Sequence, residues 1–145
     1  MKSVAQMLKQ KPAGVVSIRP DVPVLEALKL LSERGVGAVL VIDGSRVAGI
    51  VSERDYTRKV ELKGKSASTT PVSEIMTKEV ICVTPEQTNE ECMALMTGKR
   101  LRHLPVIENG KVVGILSIGD LVKEVISEQK FIIEQLEHYI SGDLA

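Results

Sequence analysis

Two stretches of this chain carry serine and aspartate at one shared spacing. Ser52-Glu53-Arg54-Asp55 follows Gly49-Ile50-Val51, and Ser117-Ile118-Gly119-Asp120 follows Gly114-Ile115-Leu116. Both have the form Gly-apolar-apolar-Ser-x-x-Asp, and both come after an apolar run. Each predicts a strand that ends in a Gly-containing turn and feeds straight into a helix. A helix start presents free backbone N–H groups and a positive dipole end, which suits a phosphate. The carboxylate three residues on is an acceptor that paired hydroxyls, such as those of a ribose, can address. The plain alternative is a pair of helix caps, because Ser with an acidic residue three positions later is a variant of the capping box.

Other chemistry is sparse. The only histidines are His103 and His138 and the only cysteines Cys82 and Cys92, so no zinc-type spacing exists. Both cysteines sit in apolar patterns and are expected as reduced core residues of a cytoplasmic protein. No nucleophile–base pair, metal set or phosphate-binding Gly-rich loop of the Walker type is visible, which argues against an enzyme. The 19 basic and 19 acidic residues cancel, and aromatic content is 2%. Neither a nucleic-acid footprint nor a stacking platform is present. No secretory leader is expected from Met1-Lys2-Ser3-Val4, and no apolar run nears the roughly 18 residues of a membrane span.

The elements that must hold these residues recur in the same order. A short helix is expected at Val4 to Lys11, broken by Pro12-Ala13-Gly14, then a strand at Val15, Val16 and Ile18. Val24 to Arg34 has an amphipathic helical pattern ending at Gly35. Two strands follow, Ala38 to Ile42 and Val47 to Val51, around Asp43-Gly44. A polar helix starts at Ser52 and runs through Lys59. After the linker Gly64 to Thr70 come a helix at Val72 to Met76, a strand at Val80 to Val83 and a helix at Asn89 to Arg100. Strands His103 to Ile107 and Val112 to Leu116 complete the series before the last helix.

Residues 15–60 superpose without gaps on 80–125 at an offset of 65, with identities such as Pro20/Pro85, Val41/Val106, Gly49/Gly114, Ser52/Ser117 and Asp55/Asp120. This is an internal duplication. Two β-α-β-β-α units would each bury an apolar sheet face against the other about a pseudo-two-fold, with ligand clefts along the seam. The division reads as 1–62, a linker at 63–71, a second repeat at 72–128, and a helical extension at 129–145. That extension carries Phe131, Ile132, Ile133, Leu136, Tyr139 and Ile140. Its apolar face packs either on its own module or in a helix–helix dimer.

Tandem units ending in Gly-apolar-x-Ser-x-x-Asp, with Arg102-His103-Leu104-Pro105-Val106 in the second, resemble a stand-alone pair of cystathionine-β-synthase (CBS) domains, or Bateman module. The resemblance implies an α/β (α+β) CBS pair, a regulatory role, and a bound adenosine ligand: AMP, ADP, ATP, NAD(H) or S-adenosylmethionine. It implies a homodimer and an unidentified target protein, without nucleic acid, membrane or catalytic cofactor. Asp55 and Asp120 match ribose-binding aspartates, and Ser52 and Ser117 the hydroxyl residues beside them. Thr84 matches a Thr-Pro position facing the ligand from the opposite repeat, where the twin position departs as Arg19-Pro20. Arg102 and His103 match phosphate-reaching positions. Arg54 and Arg58 could add charge, and Ile18, Ile118 and Gly119 complete the candidate nucleotide-binding set. The alternative function is an interaction scaffold that dimerises through the C-terminal helix.

Overall fold

The computed structural model describes residues 2–12 and 14–142. Met1, Ala13 in the predicted break, and the last three residues of the extension lie outside the described residues. The duplication is visible as two copies of one hairpin. Strands β2 (Ala38–Asp43) and β3 (Arg46–Ser52) pair antiparallel, as do β4 (His103–Glu108) and β5 (Lys111–Ser117). The register shifts between Val41 and Ile42 in one copy and between Val106 and Ile107 in the other, so even the bulge is duplicated. Helices α2 (Val24–Arg34) and α5 (Asn89–Lys99) precede these hairpins.

The copies differ on the third strand. In the first, β1 (Ser17–Ile18) pairs parallel with β2, and Leu40 N–H donates to the Val16 carbonyl at 3.2 Å. In the second, the expected strand Val80 to Val83 is reduced to one bridge, Val83 to Val106. The cause is Pro105, which stands where Leu40 stands. It has no N–H to offer Ile81, so the ladder cannot extend.

The expectation of one shared seam between sheet faces is replaced by two cores with exchanged helices. Helix α1 (Val4–Leu8) puts Val4 and Met7 into the core of the second repeat, beside Val83, Cys92, Leu116 and Leu121. Helix α4 (Val72–Ile75) puts Val72 and Ile75 into the core of the first, beside Val24, Val51 and Val60. Backbone bonds repeat the exchange symmetrically. Val4 N–H donates to Gln87 O and Val72 N–H to Val22 O; Ala5 N–H donates to Pro85 O and Ser73 N–H to Pro20 O. Each buried aliphatic side chain contributes about 1.5–3 kcal/mol, so each short helix is held by tertiary burial rather than by its own length.

The exchange explains the motif glycines, which lie within strands rather than in the turn. A β-carbon on Gly49 would meet the Thr77 carbonyl oxygen at 2.7 Å, and one on Gly114 would meet Leu8 Cδ2 at 2.6 Å. Glycine is there to admit the exchanged helix and the chain that leaves it: the last residue of α1 against Gly114, and Met76-Thr77 after α4 against Gly49.

Two further expectations are corrected, and one alternative left open is narrowed. The helix after Ser52 is short: α3 (Glu53–Tyr56) gives way to a π-helical stretch, Thr57–Glu61. Cys92 is buried, its thiol pushed up to about 11 by burial and by Glu91, but Cys82 is exposed. Finally, α6 (Ile118–Ser141) packs on its own module only through its first half, where Leu121 and Glu124 are buried. Every described residue after Glu128 is exposed, including Phe131, Ile132, Ile133 and Leu136.

Candidate functional site

Both serine–aspartate turns fold as capping boxes. The Ser52 hydroxyl accepts from Asp55 N–H at 3.2 Å, while Asp55 Oδ2 accepts from Ser52 N–H at 2.9 Å. Ser117 and Asp120 repeat this at 3.2 and 2.8 Å. The capping role is therefore realised in both copies, and any ligand must use what capacity remains.

The remaining capacity is answered by lysines of unrelated origin. Asp55 Oδ1 lies 3.0 Å from Lys59 Nζ, one turn along its own chain segment, and accepts from the Thr77 hydroxyl at 3.3 Å. The position equivalent to Lys59 in the second copy is Glu124, so Asp120 has no such neighbour. Its cation comes from Lys11 in the segment after α1, with Nζ 2.7 Å from Asp120 Oδ2 and 2.7 Å from the Ile115 carbonyl. Glu124, 3% exposed, pairs instead with Lys2 at 3.3 Å. Burial raises the Asp120 pKa, but the hydrogen bonds from Lys11 and Ser117 outweigh it and hold the carboxyl below its usual range.

Two clefts follow from the exchange. The first, about 500 Å³, lies between the turn of repeat 1 and the corner joining α5 to β4 of repeat 2. Ser52, Arg54, Asp55 and Arg58 line it from one side; Arg100, Arg102 and His103 line it from the other. Ile50, Val80, Ile81 and Leu101 supply apolar wall. The second, about 400 Å³, is lined by Leu8, Lys11, Arg34, Val36 and Ile115, with Val15 and Val16 where the first has Val80 and Ile81.

A sequence model of the CBS domain matches residues 7–61 and again 72–127. The chain belongs to the CBS-domain family. It is similar to a protein of Burkholderia ambifaria described as a signal-transduction protein with CBS domains: 52% identity, 88% of this chain and 96% of the other, TM-score 0.84. A CBS-domain protein of Agrobacterium tumefaciens is 41% identical over 85% of this chain and 98% of its own, at a TM-score of 0.79. Among curated relatives, the mitochondrial CBS domain-containing protein CBSX3 of Arabidopsis thaliana is 41% identical over 84% of this chain, which spans 62% of that protein's length. Tandem CBS pairs are regulatory or signal-transduction modules. No helix among the described residues is long and apolar enough to cross a membrane.

Within the CBS pair, the first cleft collects six of the residues singled out in the sequence: Ser52, Arg54, Asp55, Arg58, Arg102 and His103. The others line neither cleft. Arg19 is exposed and lies 3.4 Å from Asp21. Thr84 is exposed, its N–H donating to the Gln87 side chain at 2.9 Å. Ile18 packs on the first core, Ile118 is exposed, and Ser117, Gly119 and Asp120 stand outside the second cleft's lining. His103 stands between the clefts. It lines the first, yet its pKa is lowered by burial and then by Lys11 and Arg102, against an opposing pull from Asp120.

Sequence reasoning missed Lys11, Lys59, Thr77, Arg100 and Glu79. Lys59 was accessible as an Asp-x-x-x-Lys pair at helical spacing. Lys11 carried no local signal, being 109 residues from Asp120.

Proposed function

We propose that this CBS pair is a regulatory sensor of adenosine nucleotides that binds its ligand in the first cleft. One observation carries the reading: the Ser52–Asp55 turn of one repeat faces Arg102 and His103 of the other across a cavity with apolar walls. Adenine fits the slot of Ile50, Val80, Ile81 and Leu101. The ribose hydroxyls address Asp55, replacing the Thr77 hydroxyl, which at 3.3 Å is the longest of its contacts. Guanidinium forks suit phosphate oxygens. In the second cleft, Lys11 is already engaged by the Ile115 carbonyl and by Asp120, which stands just outside the lining. The first cleft therefore takes one nucleotide per chain, as AMP, ATP or NAD(H). Because its walls come from both repeats, a ligand that binds one arrangement better shifts the pair toward it.

Calorimetric titration of the purified protein with AMP, ATP and NADH tests this. Saturable heat at one site per chain, weakened in Asp55→Asn, supports it; no heat and no thermal shift at millimolar nucleotide ends it. The same samples, assayed for nucleotide turnover, test the non-catalytic reading.

A second reading has one observation in its favour. The outer half of α6 is an exposed apolar face, with Phe131, Ile132, Ile133 and Leu136 all more than half exposed, and a CBS-CP12 protein of bloom-forming cyanobacteria, 30% identical at a TM-score of 0.74, is hexameric. Under this reading the chain is a scaffold assembled through α6. Truncation after Glu128 would dissociate it, with nucleotide affinity absent from both forms.

A further inference from the structure

The C-terminal ends of α2 and α5 close with the same backbone turn. Gly35, at φ 62°, donates its N–H to the Leu31 carbonyl, and Val36 N–H donates there too. Sixty-five residues on, Arg100 takes φ 55°, with its own N–H and that of Leu101 donating to the Met96 carbonyl. A left-handed residue at a helix end is ordinarily glycine, because a β-carbon meets a steric penalty there. Repeat 1 uses glycine. Repeat 2 holds an arginine in the same strained conformation, and that arginine lines the first cleft. Backbone strain retained at one copy of a duplicated turn points to a role for the side chain.

The charge of the cleft indicates what role. Arg54 and Arg58 stand on the wall from repeat 1, Arg100 and Arg102 on the wall from repeat 2. Among the described residues, none of these four arginines is in an ion pair. Opposing them are only Glu53 and Glu79, since Asp55 is paired with Lys59. Among the described residues, the second cleft offers one unpaired cation, Arg34. A single phosphate group has three terminal oxygens and is satisfied by one or two bidentate forks. Two walls of guanidinium groups match a chain of phosphates.

We infer that the first cleft is selective for nucleotides with two or more phosphates, and that Arg100 is a specificity-determining contact to the distal phosphates. This rests on the nucleotide-sensing reading and narrows its ligand class. The left-handed turn is retained at a cost to stability, and the arginine is what that cost supports.

The test is titration of the full chain with ATP, ADP, AMP and adenosine in wild type, Arg100→Gly and Arg100→Ala, with inorganic tripolyphosphate as competitor. Wild type is expected to bind ATP at least about tenfold more tightly than AMP, from one or more extra charge-assisted hydrogen bonds. Both variants should bring that ratio to within about threefold, and tripolyphosphate should displace ATP from wild type but not from Arg100→Gly. Without ligand, Arg100→Gly should melt about 2–4 °C above wild type as strain is relieved, and Arg100→Ala should not. An ATP-to-AMP ratio unchanged in both variants overturns the inference while the parent reading stands. Absence of any nucleotide binding by wild type overturns both.

Discussion

In repeat 1 the motif aspartate is answered by Lys59, a neighbour on its own chain segment; in repeat 2 it is answered by Lys11, drawn in from the far end of the chain. The hairpin backbone is the same in both copies down to the position of the bulge. One local change decides the aspartate's partner: Glu124 stands where Lys59 would recur, so Asp120 needs a cation from elsewhere. The Lys11 ammonium also donates to the Ile115 carbonyl, an acceptor whose twin, the Ile50 carbonyl, is bonded by the Thr77 backbone N–H. The lesson is that duplicated sites diverge through their surroundings. One copy keeps a cavity with unpaired arginines, while the other fills its aspartate internally.

The largest expected difference between the copies lies at the two motif glycines. Gly49→Ala should cost about 3 kcal/mol in urea unfolding, because its β-carbon meets a backbone oxygen that cannot move away. Gly114→Ala should cost about 1 kcal/mol, because the Leu8 side-chain tip can turn aside. Equal costs would mean that the two exchanged helices are held with equal slack. Next, Asp55→Asn should weaken nucleotide binding by about 1.5–3 kcal/mol in calorimetry. Asp120→Asn should leave binding within about twofold. The reverse ranking would place the ligand at the Asp120 turn instead.

Lys11→Met should lower stability by about 1–2 kcal/mol, as expected for losing a half-buried charged hydrogen bond. It should also let adenosine, which has no phosphate to place, enter the second cleft and raise stoichiometry from one to two. A ratio that stays at one would show that Lys11 is not what closes that cleft. The smallest effect is in pH. The folded His103 pKa is lowered, so the unfolded chain binds more protons near and below the ordinary histidine value of about 6.5. Its contribution is complete above that value and declines as pH falls toward the folded pKa. His103→Gln should flatten the melting temperature against pH across that window; an unchanged slope would assign it to other groups.

Much of this was legible in order along the chain. The offset of 65, the two hairpins and both serine–aspartate caps follow from local patterns, because strand alternation, turn glycines and capping spacings act over a few residues. The shortened third strand of repeat 2 was legible in principle, since Pro105 replaces Leu40, but only with the parallel register in hand. The helix exchange was not legible. Val4 and Val72 have the same apolar spacing whichever core they enter, and only the bonds to Gln87 and Val22 distinguish the two outcomes.

By itself, then, the sequence determined the family, the duplication and the identity of the residues at each turn, for these are properties of neighbours and periods. Tertiary structure decided which core each short helix completes, which aspartate keeps an open cavity, and that Lys11 closes on Asp120 across 109 residues. Such pairings depend on burial and on charges that meet only after the chain has folded, and no local pattern encodes a partner at that distance.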